Sequence, residues 1–170
     1  MLGLCQDSGS TPLRSTQKEG IIMTDIEKGY IAGLIDGEGT ISLLKDRADA
    51  KFRYPCLEMS STTFAMLKKL QQIADGGAIS SHKTYKSTYK QSWHYKLRGD
   101  KAIDLLNEVK DYLLEPKKKY RADLICSTYK QVTPRNGKYS EEMLQKKLQF
   151  EEDFFKEDFG REANSVEAVD

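Results

Sequence analysis

Apolar residues recur every three or four positions from Thr24 onward, at Ile26, Tyr30, Ile31, Leu34 and Ile35, which is the spacing of one amphipathic helix. Thr24 or Asp25 is suited to cap its start, and Gly37 and Gly39 mark its stop. The pattern then shortens to strand-like runs, predicting a strand over residues 40–45, a polar loop and a second strand over 52–60. Thr62 or Thr63 caps a helix carrying Leu67, Leu70 and Ile73, closed by Gly76 and Gly77. Two further strands, 78–85 and 91–98, form a hairpin across a turn rich in Lys, Ser and Thr. Helices over 100–114 and 116–131 follow, with Pro116 well placed in a first helical turn. A last helical stretch, 140–159, sets Met143, Leu144, Leu148, Phe154 and Phe155 among many charges, the composition of a helix docked at the periphery.

The order α-β-β-α-β-β-α-α makes the fold class α+β. The expected unit is an αββαββα core whose antiparallel four-stranded sheet carries helices on one face and leaves the other free for a ligand. A chain of 170 residues suffices for one substantial core. Residues 1–22 lack apolar periodicity and read as a flexible arm or an upstream remnant, with Met23 as an alternative start; 23–139 form the folded domain, and 140–170 an acidic C-terminal helix and tail.

The charge balance changes this picture in one respect. The whole chain has 27 basic and 26 acidic residues, which argues against a generic polycation. Residues 140–170 hold 10 of those acids and 4 of the bases, so residues 1–139 carry 16 acids and 23 bases, a net +7 suited to phosphate. Cys5, Cys56 and Cys126 are an odd, scattered set and read as reduced thiols of a soluble intracellular protein, in the cytoplasm or an organelle matrix. No apolar run approaches the roughly 20 residues of a membrane helix, and only His82 and His94 are available to a histidine-based metal nuclease. Asp104 followed by Glu115-Pro116-Lys117 mimics a restriction-type site, but 103–114 reads as helix and cannot supply the strands such chemistry needs. No phosphate-binding Gly-rich loop with a Lys is present.

The first helix carries Gly29, Gly33 and Gly37 at intervals of four, with Ala32 beside them. Glycine costs a helix about 1 kcal/mol relative to alanine, and close approach of a second helix backbone is a reason to keep three on one face. The segment Tyr30-Ile-Ala-Gly-Leu-Ile-Asp-Gly-Glu-Gly39 resembles the motif of the LAGLIDADG homing endonucleases, with both acids and the small residues in register. The resemblance extends over roughly 24–131. A single copy of the motif implies a homodimer, with Gly29, Ala32, Gly33 and Asp36 at the interface between the two motif helices.

The resemblance also implies an active site. Glu38, just past the helix end, would meet its dyad mate, and two facing carboxylates need cations between them. Hard oxygen ligands suit Mg²⁺, with Mn²⁺ as a substitute, held by Glu38 and the Gly37 carbonyl. Ser61 and Lys118 match the family's polar and basic catalytic positions. Ser61 is also suited to cap the next helix, Lys118 to anchor a phosphate, and Asp36 to bond backbone groups at the helix end. The expected partner is double-stranded DNA at a long, near-palindromic target, cut as an intron-encoded homing endonuclease cuts its site. Ser42, Glu58, His82, Lys86, Lys90, His94, Lys96 and Arg98 are the candidate contacts, because Trp93, Tyr95 and Leu97 facing the helices would turn the alternate residues outward. The alternative is a non-catalytic relative, an intron maturase or a transcription regulator, which would not need the acid.

Overall fold

The structure, a computed structural model, describes residues 21–82, 88, 90–134 and 138–156. Helix α1 (Asp25–Glu38) opens on a capping box in which the Thr24 hydroxyl accepts from the Glu27 N–H and the Glu27 carboxylate accepts from the Thr24 N–H. Glycine does not stop this helix at residue 37. Gly37 stays in the helix, Glu38 is its last residue, and the chain passes into strand β1 (Gly39–Leu44) through the extended backbone of Gly39. Glu38 therefore belongs to the helix rather than lying past it.

Strand β2 (Tyr54–Ser61), helix α2 (Phe64–Ile73), β3 (Ala78–Ser81) and β4 (Trp93–Arg98) follow. The sheet order is β1-β2-β4-β3, and every neighbouring pair is antiparallel. Ladder partners share a face. Ile41, Leu43, Leu57, Met59, Tyr95 and Leu97 are accordingly buried under the helices, while Ser42, Glu58, His94, Lys96 and Arg98 stand on the other side. Tight closure between α2 and β3 depends on Gly77. Its φ is 89° and a Cβ there would come within 2.4 Å of the Tyr95 ring, whose hydroxyl donates to the Gly76 carbonyl.

Helix α3 (Asp100–Val109) ends five residues earlier than its apolar pattern suggests and continues as a short 3-10 turn, Lys110–Tyr112. Leu113 is extended and buried, Leu114 is 86% exposed, and the Pro116 ring disfavours helix at Glu115. Helix α4 (Pro116–Thr128) and helix α5 (Glu141–Phe155) complete the layer. In the hairpin, β3 ends at Ser81 with His82 outside the strand, and β4 starts at Trp93, two residues later than expected; 83–85 lie outside the described residues. The spacing of α1 merges two faces: Ile31, Ala32 and Ile35 are fully buried, whereas Ile26 and Tyr30 are 85% and 49% exposed on the opposite side.

One continuous core gathers residues from α1, the inner sheet face, α3 and α4, and it includes Phe150 and Phe154 of α5. The acidic last helix is thus seated on the body. Glu151 receives the Arg53 backbone N–H at 3.1 Å and its guanidinium Nε at 3.6 Å. Lys147 lies fully buried beneath the same helix, with Nζ 3.1 Å from the Thr133 hydroxyl and over the rings of Tyr129 and Phe150.

Burial pushes the Lys147 ammonium down to about 8, with Glu151 opposing. A lysine whose folded pKa lies below its unfolded value weakens the fold while it is charged, and that penalty fades as pH rises from about 8 toward the ordinary lysine range. Denaturant unfolding of wild type and Lys147→Met at several pH values should show the difference between them moving in favour of wild type as pH is raised from about 7 to about 10. A difference independent of pH would show that the two rings hold the ammonium charged throughout.

Candidate active site

The C-terminal end of α1 is fixed from three directions. A Cβ on Gly39 would lie 2.7 Å from the Ile35 Cα, so only glycine lets the chain turn directly from helix into strand here. Lys118 Nζ donates to the carbonyls of Ile35 at 2.9 Å and Asp36 at 2.5 Å, placing a cation where the helix dipole is negative. Asp36 Oδ2 accepts the Leu114 N–H at 2.8 Å. Asp36 thus bonds backbone, though of the segment before α4 rather than of its own helix. Its Oδ1 is buried with no partner among the described residues.

Lys118 is itself positioned by Glu115, the N-cap of α4, whose carboxylate accepts from the N–H groups of Lys117 and Lys118. Nothing in the composition singled Glu115 out for this role; its place directly before Pro116 was the available signal.

Glu38 is exposed and opens onto a shallow depression of about 400 Å³ shared with Ser60, Ser61, Thr62, Met66 and Ser92. Ser61 ends β2 opposite Trp93, and its hydroxyl accepts the Thr63 N–H at 3.0 Å, helping to start α2. It therefore sits in the depression and also serves the local turn. The carbonyl of Gly37 is one of the last four of the helix, which have no intrahelical donor. A carboxylate beside such a carbonyl is a hard oxygen pair suited to a divalent cation. Among the described residues of one chain, no group of three or more His, Cys, Asp or Glu side chains gathers to hold a metal.

Among the described residues nothing covers the other face of α1. A Cβ on Gly29, Gly33 or Gly37 would meet nothing within 4 Å, and the exposed Ile26 and Tyr30 continue the stripe. Ala32 does not belong to it, because a step of one residue turns the side chain about 100° around the helix and into the chain's own core.

On the open face of the sheet, Glu58 is the centre of a bonded cluster. Its Oε1 lies 2.6 Å from Lys96 Nζ and 3.3 Å from His94 Nε2, and its Oε2 lies 3.5 Å from the Ser42 hydroxyl. Burial acts to raise the Glu58 carboxyl, but the bonds to Lys96 and His94 outweigh it and hold the group below the usual carboxylate range. Ser60, which sequence reasoning missed, bonds His94 Nδ1 at 3.0 Å; the alternation that carries Glu58 outward also carries Ser60. Arg98 reaches Asp46 at 3.8 Å and stands over the Tyr54 ring. The His82 ring lies edge-on to His94 at 5.6 Å. Lys90 is exposed, and Lys86 lies outside the described residues. Cys56 sits on this same face but is buried beneath its neighbours, which pushes its thiol up to about 11.

The family model described as LAGLIDADG endonuclease matches residues 31–129, which includes the end of α1, the whole sheet and α4. Among solved structures, the homing endonuclease I-CvuI in complex with its target superposes with a TM-score of 0.59 at 18% identity, over 76% of this chain and 80% of that one. An archaeal intron-encoded homing endonuclease complexed with DNA gives 0.58 at 19% identity, over 76% and 82%. The group I intron-encoded homing endonuclease I-CeuI, also complexed with DNA, gives 0.56 at 16% identity, over 78% and 68%. No curated protein matches the chain. The structural likenesses establish the fold, and because the family model spans more than half of its length, the chain belongs to the LAGLIDADG endonuclease family.

Proposed function

We propose that this protein is a site-specific double-strand DNA endonuclease that works as a homodimer and hydrolyses phosphodiester bonds with a divalent cation, Mg²⁺ in the first instance. The observation that carries the reading is the exposed carboxylate of Glu38 at the pinned end of the motif helix, in a depression where, among the described residues, no group of three or more His, Cys, Asp or Glu side chains gathers. A second copy packed on the Gly29–Gly33–Gly37 face would bring a second Glu38 to the same place. The stripe, uncovered among the described residues, supports that packing.

Glu38 and the Gly37 carbonyl would hold the cation, which when bound lowers the pKa of water and neutralises charge on the departing oxygen. Lys118 contributes in two ways. By holding the Ile35 and Asp36 carbonyls it fixes the direction of the helix end, and its remaining hydrogen is available to phosphate. Ser61 orders the wall of the depression opposite. The polar sheet face supplies the duplex-binding surface, with Lys96 and Arg98 on it and Lys90 in the loop before β4 as cations. A long, near-palindromic target follows from two such sheets related by a dyad.

Replacing Glu38 by Gln keeps shape and removes the charge that attracts the metal, in both subunits at once. Nicking and double-strand cleavage of the target should fall below detection, while affinity for the uncut duplex without metal stays equal or rises slightly. A Glu38→Gln protein that cuts at the wild-type rate would remove this site from consideration.

Lys118→Met should slow cleavage by roughly 100-fold and lower stability by about 1 to 2 kcal/mol through two lost bonds. Single-turnover kinetics and thermal unfolding read the two effects separately. A loss of affinity with an unchanged single-turnover rate would reduce Lys118 to a phosphate anchor.

Sedimentation equilibrium should find wild type as a dimer on its duplex and Gly33→Leu dissociated, because the added side chain occupies the space a second backbone needs. A wild-type monomer on target DNA would contradict the shared site.

A further inference from the structure

We propose that Glu58 and Lys96 act together as the reader of one G·C base pair, Lys96 donating to guanine O6 and N7 while Glu58 accepts from cytosine N4. This rests on the sheet face being the DNA-binding surface. The two residues are direct partners on the two inner strands, and the row that contains them runs Thr40, Glu58, Lys96, Ala78 across the whole sheet. Short side chains flank the charged pair on both outer strands. The pair lies at the middle of the face with its side chains 25% and 19% exposed, so it is held by its neighbours and still open on the side where the edge of a base pair in a major groove would meet it.

Its chemistry is directional. Lys96 Nζ and Glu58 Oε1 lie 2.6 Å apart, so the face offers a donor immediately beside an acceptor. Glu58 is the one partner of Lys96 among the described residues, which leaves two of the three ammonium hydrogens. Glu58 Oε1 is shared by Lys96 and His94, but Oε2 has only the long Ser42 contact at 3.5 Å and retains accepting capacity. In the major groove a G·C pair presents acceptor, acceptor, donor in order: guanine N7, guanine O6, cytosine N4–H. Two free lysine hydrogens match the two acceptors, and the carboxylate matches the amine next to them.

An A·T pair presents acceptor, donor, acceptor: adenine N7, adenine N6–H, thymine O4. Wherever Glu58 meets that central donor, an acceptor flanks it on each side, and one of the two confronts the carboxylate. The ionised carboxyl is thus the repulsive half of the discrimination as well as the attractive half. His94 and Ser60 hold it in place from the neighbouring row, so little side-chain freedom remains to relieve a mismatch.

The test is selection of bound DNA from a duplex library randomised across the target, with the full-length protein in Ca²⁺, for wild type, Glu58→Ala, Glu58→Gln and Lys96→Ala. Wild type should demand G·C at one position and its symmetry mate. Glu58→Ala and Lys96→Ala should each relax that same pair by roughly 10-fold or more and leave the other positions unchanged. Glu58→Gln, which keeps the shape of the side chain, should move preference there toward A·T, since a glutamine amide pairs with adenine N6 and N7. The inference is overturned if the two alanine variants relax different pairs or none, or if Lys96→Ala weakens every sequence equally and lowers the salt slope, the mark of a phosphate contact. A wild-type protein that selects no sequence at all would instead overturn the DNA-binding reading of the sheet, and the base-pair assignment with it.

Discussion

Gly39 and Ile35 approach so closely that no side chain fits between the end of α1 and the start of β1. This contact makes the passage from helix to strand immediate. With no loop to flex, the direction in which Glu38 projects is set by two rigid elements at once, the helix it ends and the strand that begins one residue later. Lys118 on the last carbonyls and Asp36 on the Leu114 N–H hold the same turn from the side of α4. The backbone from which the Glu38 carboxylate projects is therefore set before any partner arrives, which is what the metal-binding role proposed for it would require. The arrangement also explains why the helix can carry three glycines. What they cost in propensity is offset by Ile31, Ala32 and Ile35 in the core and by ties to the α3–α4 segment at Lys28, Asp25 and Asp36.

The two faces of the sheet divide the remaining work. One buries Ile41, Leu43, Leu57, Met59, Tyr95 and Leu97 and gives the molecule its stability. The other, proposed to meet the duplex, has an acid at its centre. Glu58 is compensated by Lys96 and His94, so the face is an array of oriented donors and acceptors rather than a uniform positive field. Uniform charge gives affinity for any duplex, whereas an oriented array can distinguish one sequence from another.

Much of this was legible in the chain. Period-two alternation set the phase of β4, so the outward placement of His94, Lys96 and Arg98 follows from Tyr95 and Leu97 being apolar. The motif residues located the end of α1 to within one position. What escaped was what depends on long-range contact. Ile26 and Tyr30 share helical spacing with Ile31 and Ile35, and only the packed helix separates the exposed face from the buried one. Ala32 lies next to Gly33 in sequence yet turns into the core. Gly37 looked like a stop signal, but a glycine ends a helix by adopting a left-handed conformation, and this one does not. Ser60 and Glu115 act through partners 34 and 3 residues away, His94 and Lys118, and residue type alone does not announce such pairings.

If the pinned end of α1 becomes a metal-binding active site when two copies meet on DNA, anomalous diffraction from Mn²⁺ in crystals of the protein bound to its duplex should reveal the metal there. Anomalous peaks should appear at the dyad, at oxygen-ligand distance of about 2.0 to 2.5 Å from the Glu38 carboxylates of both copies and beside the phosphates to be cut. Mn²⁺ bound elsewhere, with Glu38 facing solvent or a single copy on the DNA, would contradict it.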